Sequence, residues 1–222
     1  IASQGEEGDY GRRHVLDPRM IERIQHRGFR NALDVGCGEG RFCRVLQRLG
    51  VQTVGVDLIP ALIDVASQRD PGGDYRVGDA GALEFADDSF DLVVSYVTLV
   101  DFPDIKSAIA EMARVLRPGG TLLIANLASY ATAGRWCKVG DIDLHFAIDN
   151  YSQEVGEWQS WDEINIFNWH RPLSMYMQNF LANGLILRHF DEPLPVGGDP
   201  ERIARQTRIP WFVIMEWEKP RQ

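Results

Sequence analysis

Three glycines within five residues give the strongest chemical signal in the chain. The run LDVGCGEGRF, residues 33–42, contains Gly36, Gly38 and Gly40 between a short apolar segment and a segment with helical spacing. Glycines let backbone amides approach a ligand closely, and the start of the following helix favours negative charge. A nicotinamide site of the G-x-G-x-x-G pattern is disfavoured, because the third glycine comes one residue early and Arg41 stands in its place. The turn predicts a binding site for a different small ligand.

Two carboxylates follow the next predicted strands. Asp57 ends the apolar run 51–56, and Asp79 follows the run 74–77. In an open parallel sheet, ligands bind outside the carboxyl ends of the strands. A carboxylate there can accept charge-assisted hydrogen bonds from ligand hydroxyl or amino groups. The alternatives are that Asp57 caps the next helix and that Asp79 is a turn residue.

The elements that must position these residues alternate along the first half of the chain. Helical spacing follows the first, second and fourth apolar runs, and residues 118–120 (Pro-Gly-Gly) are expected to end the last of these helices. Strands that alternate with helices predict an α/β fold with a doubly wound, mostly parallel sheet. The five predicted strands cover residues 32–35, 51–56, 74–77, 90–95 and 121–127.

The second half of the chain does not continue this alternation of strands and helices. Residues 128–170 are rich in aromatic side chains but have no clear helical pattern, which is typical of a lid or binding loop. A helix is predicted over 172–183, and strands over 185–190 and 211–217 complete a seven-stranded sheet with an antiparallel edge. A polar stretch of roughly 20 residues, without a predicted element, separates these two strands.

Five motifs in order resemble the class I S-adenosylmethionine-dependent methyltransferases. They are LDVGCGEGRF (33–42), VGVD (54–57), GDA (78–80), FDLVVS (90–95) and LRPGGTLLI (116–124). The later segments resemble the small-molecule, ubiquinone-biosynthesis-like (methyltransferase type 11) group. These segments are NWHRPLSMYMQNFLANGL (168–185), DEPLP (191–195) and IPWFVIMEWEK (209–219), and GDYGRRHVLDP (8–18) resembles the group's leading segment. One departure is Leu127-Ala128-Ser129, where many relatives carry a His-Pro pair.

The resemblance implies a single domain over 1–222 with a Rossmann-like sheet. Its predicted parts are an N-terminal segment that covers the cofactor (1–30), a cofactor-binding core (31–127), an aromatic-rich lid insertion with a helix (128–184) and a C-terminal strand pair (185–222). The implied cofactor is S-adenosylmethionine, and the product is S-adenosylhomocysteine.

The resemblance also implies cofactor contacts around the glycine turn and after strand two. Gly36, Cys37 and Gly38 line the methionine part, and the backbone position of Cys37 argues against a nucleophilic role. Asp57 accepts from the ribose hydroxyls, and Leu58 packs on the adenine face.

Further implied contacts lie at three other places. Asp79 accepts from the adenine amine, and Ala80 offers its amide. The backbone at Ser95 meets the cofactor's amino group. Tyr10 covers the cofactor, and Arg13, or its neighbour Arg12, binds the cofactor's carboxylate.

Methyl transfer to O, N or C of a small metabolite requires mainly in-line positioning, with a base only if the nucleophile keeps its proton until late. The candidate bases are His170 and His145, with Tyr130 and Tyr151 as weaker choices. His170 has the alternative role of a helix N-terminal contact. The aromatic side chains of 128–170 form either a box for a flat or cationic ligand or the packing of a β-hairpin lid.

The composition of the chain limits the kinds of substrate and the cellular location that we expect. A net charge of −9 disfavours nucleic acid, although RNA or protein methylation and non-catalytic cofactor binding stay as alternatives. Three unpaired cysteines and a polar, acidic start indicate a cytoplasmic protein. We expect no membrane span and no metal site, a small-molecule substrate, and a monomer or homodimer.

Overall fold

The computed structural model describes residues 8–161 and 164–221 and contains eleven strands within them. The strands are β1 (Asn31–Val35), β2 (Gln52–Asp57), β3 (Asp74–Val77), β4 (Phe90–Tyr96), β5 (Leu116–Leu127), β6 (Gly134–Val139), β7 (Ile142–Ile148), β8 (Val155–Trp161), β9 (Ile164–His170), β10 (Ile186–Asp191) and β11 (Phe212–Glu218). The helices are α1 (Asp17–Ile24), α2 (Arg41–Arg48), α3 (Pro60–Arg69), α4 (Ile105–Val115), α5 (Ser129–Thr132), α6 (Leu173–Ala182) and α7 (Pro200–Arg208), and a π-helical turn (Arg12–Leu16) precedes α1. None of the helices in the described part of the chain is long and apolar enough to cross a bilayer.

Seven strands form one sheet in the order β10-β11-β5-β4-β1-β2-β3. This confirms the predicted doubly wound, mostly parallel sheet. The expected antiparallel edge strand was wrong in its position. The antiparallel strand is β11, which lies between β5 and β10 and runs antiparallel to both. This placement buries β11, and Met215 and Trp217 are fully covered.

Helices cover both faces of the sheet. On one face, Leu16, Met20 and Leu46 pack with the β4 side chain of Leu92, and on the other, Ile109 packs in a separate buried cluster. Every residue of β4 is buried, which explains an apolar run without alternation.

Two sequence expectations about element boundaries were wrong. Strand β5 begins at Leu116 rather than at 121, because Leu116 pairs with Phe90 and the register then shifts to accommodate residues 118–120. The polar stretch before β11 contains α7, whose first turn is capped by the Asp199 side chain accepting from the Arg202 amide at 2.9 Å. An Asp followed by Pro is a helix-start signal that could have revealed α7.

The aromatic segment after β5 folds into α5 and two antiparallel hairpins, β6–β7 and β8–β9. Along the second hairpin, Trp158 stands opposite Phe167, and the next pair in the same row is Gly156 with Trp169. Because side chains alternate across a strand, these aromatic rings share one face of the hairpin.

The N-terminal segment is attached to the sheet through charged side chains as well as through its apolar face. Arg23 and Arg27 both pair with the buried carboxylate of Glu216 on β11, at 2.6 and 2.7 Å. The first seven residues of the predicted segment 1–30 lie outside the described residues.

Candidate functional site

A cavity of about 1490 Å³ lies at the carboxyl ends of β1, β2 and β4. Its volume exceeds the roughly 300–1,000 Å³ of ordinary ligand pockets, so a cofactor and a second ligand fit together. Its wall combines the glycine turn, the loop after β4, the N-terminal segment and both hairpins. The lining residues used below are Arg12, Asp34, Gly36, Cys37, Gly38, Asp57, Ile59, Leu62, Tyr96, Val97, Thr98, Asp101, Trp136, Glu157, Asn168, His170 and Trp211.

All three glycines of the turn have a positive φ, and the surroundings of Gly36 and Gly38 differ. Gly36 has a φ of 77°, and a Cβ there would lie 2.7 Å from Thr98 Cγ2. Gly38 has a φ of 56°, and a Cβ there would meet nothing within 4 Å. The open side of Gly38 is therefore a cradle in which a ligand can lie against the backbone.

Asp57 both shapes this turn and lines the cavity. Its Oδ2 accepts from the Gly38 amide at 2.8 Å, and its Oδ1 accepts from the Ile59 amide at 2.9 Å. Asp57 does not cap α3, whose N-cap is Ile59 without a side-chain cap hydrogen bond, and each of its carboxylate oxygens has a second lone pair for a ligand hydroxyl.

Asp34 is a buried carboxylate that the sequence analysis did not single out. Its Oδ2 accepts from Cys43 Sγ at 3.3 Å, whereas Oδ1 is buried without a hydrogen-bond partner. Burial raises the pKa of Asp34 to about 7, and the hydrogen bond from Cys43 opposes the rise. An unpaired buried acceptor in a cavity wall suits a cationic donor such as an ammonium group. A carboxylate inside an otherwise apolar strand was the available signal.

Four of the implied cofactor contacts in the core segment 31–127 lie outside this cavity lining. Leu58 is 63% exposed, whereas its neighbours Ile59 and Leu62 line the wall. Asp79 is exposed and accepts from the Gly81 amide at 2.8 Å, as the turn alternative predicted. The other two are Ala80 and Ser95.

Ala80 and Ser95 are buried and do not reach the cavity. Ala80 is buried in the core, and Ser95 is fully buried with its hydroxyl 2.7 Å from that of Thr98. Strand β4 continues to Tyr96, so Tyr96, Val97 and Thr98 reach the cavity instead.

The N-terminal segment presents Arg12 rather than Arg13 or Tyr10 to the cavity. Arg12 lines the wall and pairs with Asp9 at 2.5 Å, whereas Arg13 is exposed outside the lining. Tyr10 donates to the Gly197 carbonyl at 3.2 Å, which directs its ring towards the C-terminal loop.

His170 lines the cavity, but both of its ring nitrogens are engaged. Nε2 lies 2.9 Å from the Tyr151 carbonyl, and Nδ1 lies 2.7 Å from the Thr132 hydroxyl. Because a carbonyl only accepts, Nε2 carries a proton, and Nδ1 is occupied by the Thr132 hydroxyl, which also donates to the Ser129 carbonyl at 3.0 Å. The ring therefore holds Tyr151 and Thr132 together, and the geometry favours a structural role over proton transfer.

His145 is not brought near His170. It lies on β7 opposite Cys137, exposed and outside the cavity lining. Tyr151 is also structural, because its hydroxyl accepts from the Leu173 amide at 3.2 Å. Tyr130 lies outside the lining, and burial raises the pKa of its phenol.

Asp101, in the loop after β4, is a cavity carboxylate that the sequence analysis also missed. Its Oδ1 accepts from Asn168 Nδ2 at 2.5 Å. Burial raises the pKa of Asp101 to about 7, Asp57 adds to the rise, and the Asn168 hydrogen bond and the Arg12 charge oppose it. A carboxylate five residues beyond a parallel strand lies at the edge where ligands bind, which was its only sequence signal.

The second hairpin turns a polar face to the cavity. Its cavity-side pairs are Val155–His170, Glu157–Asn168 and Gln159–Ile166. The aromatic row lies on the other face, where Trp158 is 70% exposed. These aromatic side chains therefore do not build a substrate box, whereas Trp136 and Trp211 do line the cavity.

Known proteins resemble this chain in sequence over roughly half of its length. Residues 33–124 match a family model described as a methyltransferase domain. A malonyl-[acyl-carrier protein] O-methyltransferase of Serratia marcescens is 37% identical over 138 residues, which are 60% of this chain and 52% of that protein. A demethylmenaquinone methyltransferase of Renibacterium salmoninarum is 39% identical over 102 residues, which are 46% of this chain and 43% of that protein. The chain spans about half the length of these relatives.

The fold has a close match among solved structures. The crystal structure of an S-adenosylmethionine-dependent methyltransferase from Mesorhizobium loti has a TM-score of 0.79 and 23% identity, and the match covers 96% of this chain and 100% of that chain. At this identity the match establishes the fold.

Proposed function

We propose that this chain transfers a methyl group from S-adenosylmethionine to a small-molecule acceptor, because residues 33–124 match the model of a methyltransferase domain and the fold matches that of an S-adenosylmethionine-dependent methyltransferase. One observation carries the proposal: the glycine turn, Asp57 and the unpaired oxygen of Asp34 meet in a single cavity.

The residues present fit this cofactor. Gly38 leaves room beside the backbone, Asp57 keeps lone pairs for ribose hydroxyls, and Asp34 Oδ1 offers an acceptor for the ammonium of the methionine part. Arg12 of the N-terminal segment supplies positive charge to the cavity wall. When bound, the cofactor supplies an electrophilic methyl group on a sulfonium with a good leaving group, so the protein's task is alignment at near contact.

We propose that the remaining half of the cavity, under the two hairpins, holds the acceptor and that the hairpins act as a lid. The names of the relatives, which include a quinone and an acyl-carrier-protein substrate, support a small or carrier-linked acceptor. The net charge of −9 favours this reading over an RNA substrate. Transfer to O, N or C, a monomeric or homodimeric state and a cytoplasmic location stay predictions.

Calorimetric titration with S-adenosylhomocysteine, with NAD as the control ligand, tests the cofactor assignment. We expect micromolar binding of the former alone. Thermal unfolding gives a second readout, since a ligand at 100 times its Kd stabilises the folded state by about 2.7 kcal/mol. Binding of NAD instead, or of neither ligand, would contradict the proposal.

Transfer itself is measured by release of S-adenosylhomocysteine with small acceptors of defined chemistry. A protein that binds the cofactor tightly but methylates no phenol, amine or quinol would favour the non-catalytic alternative.

A further inference from the structure

We infer that Asp101 is the proton acceptor of the methyl transfer, and that the acceptor substrate is accordingly a hydroxyl or amine rather than a carboxylate. The inference rests on the proposed function and adds the chemical class of its substrate. It is carried by the place of Asp101 in the cavity wall and by the way its two carboxylate oxygens are used.

The carboxylate of Asp101 has one oxygen fixed and one oxygen available. Asn168 Nδ2 donates to Oδ1 at 2.5 Å and thereby orients the group. Within the described part of the chain, the hydrogen bond from Asn168 leaves Oδ2 for a ligand in the cavity. Asn168 is therefore a positioning residue for Asp101.

The loop that carries Asp101 is anchored by the fully buried guanidinium of Arg171. Arg171 Nη2 donates to the carbonyls of Phe102 and Pro103 at 2.8 and 3.1 Å, and Nη1 donates to the Leu99 carbonyl at 3.2 Å. Its Nε pairs with Glu154 at 2.5 Å. A carboxylate on a loop tied at three carbonyls keeps its position, and proton transfer depends on such geometry.

The charges around Asp101 favour a proton acceptor that works near neutral pH. Arg12 from the N-terminal segment favours the ionised form, whereas burial and Asp57 at the end of β2 favour the neutral form. From the second hairpin, Glu157 stands beside Asn168, and His170 lies two residues further along the same face. With its pKa near 7, the group both accepts a proton from an acceptor and releases it to solvent.

The same charges disfavour a carboxylate acceptor. A carboxylate placed beside Asp101 would meet Asp57 and Glu157 as further like charges on the cavity wall. A hydroxyl or amine instead donates to Oδ2. Its oxygen or nitrogen forms the new bond to the methyl carbon, the carbon–sulfur bond breaks with its electron pair left on sulfur, and the proton moves to Asp101.

Two other ionisable groups that line the cavity are held by different partners. His170 has both nitrogens engaged, and Asp34 lies at the glycine turn with Cys43 on one oxygen. Asp101 instead accepts from Asn168 of the second hairpin and therefore lies beside the acceptor half.

The test compares Asp101→Asn and Asn168→Ala with wild type and with Asp64→Asn, a matched control at an exposed position of α3 outside the cavity lining. A phenol, an aliphatic amine and a benzoate serve as acceptor probes. We expect transfer to the phenol or amine but not to benzoate, and a loss of at least about a hundredfold in kcat for Asp101→Asn. Affinity for S-adenosylhomocysteine should stay within about threefold of wild type.

The pH profile separates proton transfer from a structural role. Wild-type kcat should fall on the acid side of about pH 7, and Asp101→Asn should lack this limb. Asn168→Ala should move the limb to higher pH, because the lost hydrogen bond had favoured the ionised carboxyl.

A measurement that needs no acceptor accompanies the kinetics. In protein labelled with ¹³C at the aspartate carboxyl carbon, the resonance that disappears in Asp101→Asn should titrate near pH 7. Any one of three outcomes overturns the inference: titration in the ordinary carboxyl range, an unchanged kcat in Asp101→Asn, or efficient methylation of benzoate. If wild type binds S-adenosylhomocysteine and transfers methyl groups in these cases, the proposed function stands and only the role of Asp101 falls.

Discussion

The backbone amide of Gly38 donates to Oδ2 of Asp57 at 2.8 Å, so the turn after β1 is tied to the end of β2. One carboxylate thereby fixes the shape of the glycine turn and lines the cavity that the turn opens into. The separation of 19 residues in sequence is closed because β1 and β2 are parallel neighbours.

Substitution of Asp57 should weaken cofactor binding. Asp57→Ala removes the acceptor for ribose hydroxyls and for the Gly38 amide, and we expect a loss of at least about 1.5 kcal/mol, roughly tenfold in Kd. Calorimetric titration with S-adenosylhomocysteine measures it, with Asp64→Asn as control. An unchanged Kd in Asp57→Ala would show that the ribose does not lie at this carboxylate.

Cofactor affinity should depend on pH through Asp34. The pKa of this buried group is about 7 in the free protein, and the ammonium of the cofactor pairs with the ionised form. Affinity for S-adenosylhomocysteine should therefore rise as pH increases from 6 to 7.5, with proton release on binding at the lower pH. Asp34→Asn should bind more weakly and lose this dependence, whereas Asp101→Asn should keep the part due to Asp34.

The raised pKa of Asp34 also determines whether stability rises or falls with pH. A carboxyl whose pKa is raised on folding, from 3.8 to about 7, stabilises the ligand-free protein below pH 3.8 and loses that contribution as pH rises through 7. Relative to Asp34→Asn, the free energy of unfolding of wild type should therefore decrease between pH 4 and 7. Urea unfolding at several pH values checks this, and an increase over that range would contradict the buried, unpaired placement of Oδ1.

Two glycines of the turn should respond differently to alanine. In Gly36→Ala the Cβ meets Thr98 at 2.7 Å on a backbone with positive φ, so we expect a stability loss well above the 1–2 kcal/mol typical of the left-handed conformation alone. In Gly38→Ala the Cβ enters open space, so the stability loss should stay near that range while cofactor affinity falls. Thermal unfolding and calorimetry of both variants separate the two effects. Equal stability losses, or unchanged affinity in Gly38→Ala, would argue against a ligand beside Gly38.

Much of the fold and part of the site were predictable because their signals are local. The alternation of apolar runs with helical spacing indicated the parallel core, and the turn at Gly36 and Gly38 indicated its ligand edge. The residues missed, Asp34 and Asp101, are notable because burial raises their pKa, and their positions in or just after an apolar strand do not by themselves report that burial. His145 and His170 were chosen by residue type, yet one is exposed and the other has both nitrogens engaged.

The sequence by itself determined the α/β class, the seven strands of the sheet and the sheet edge at which the cavity lies, since periodicity, glycine turns and terminal carboxylates are encoded by neighbours along the chain. The tertiary structure alone decided that β11 inserts between β5 and β10, that the aromatic row of β8–β9 faces away from the cavity, and that Asn168 meets Asp101 across 67 residues. Strand order, the facing of a hairpin and the burial of a carboxylate depend on contacts between distant segments, and no local pattern specifies them.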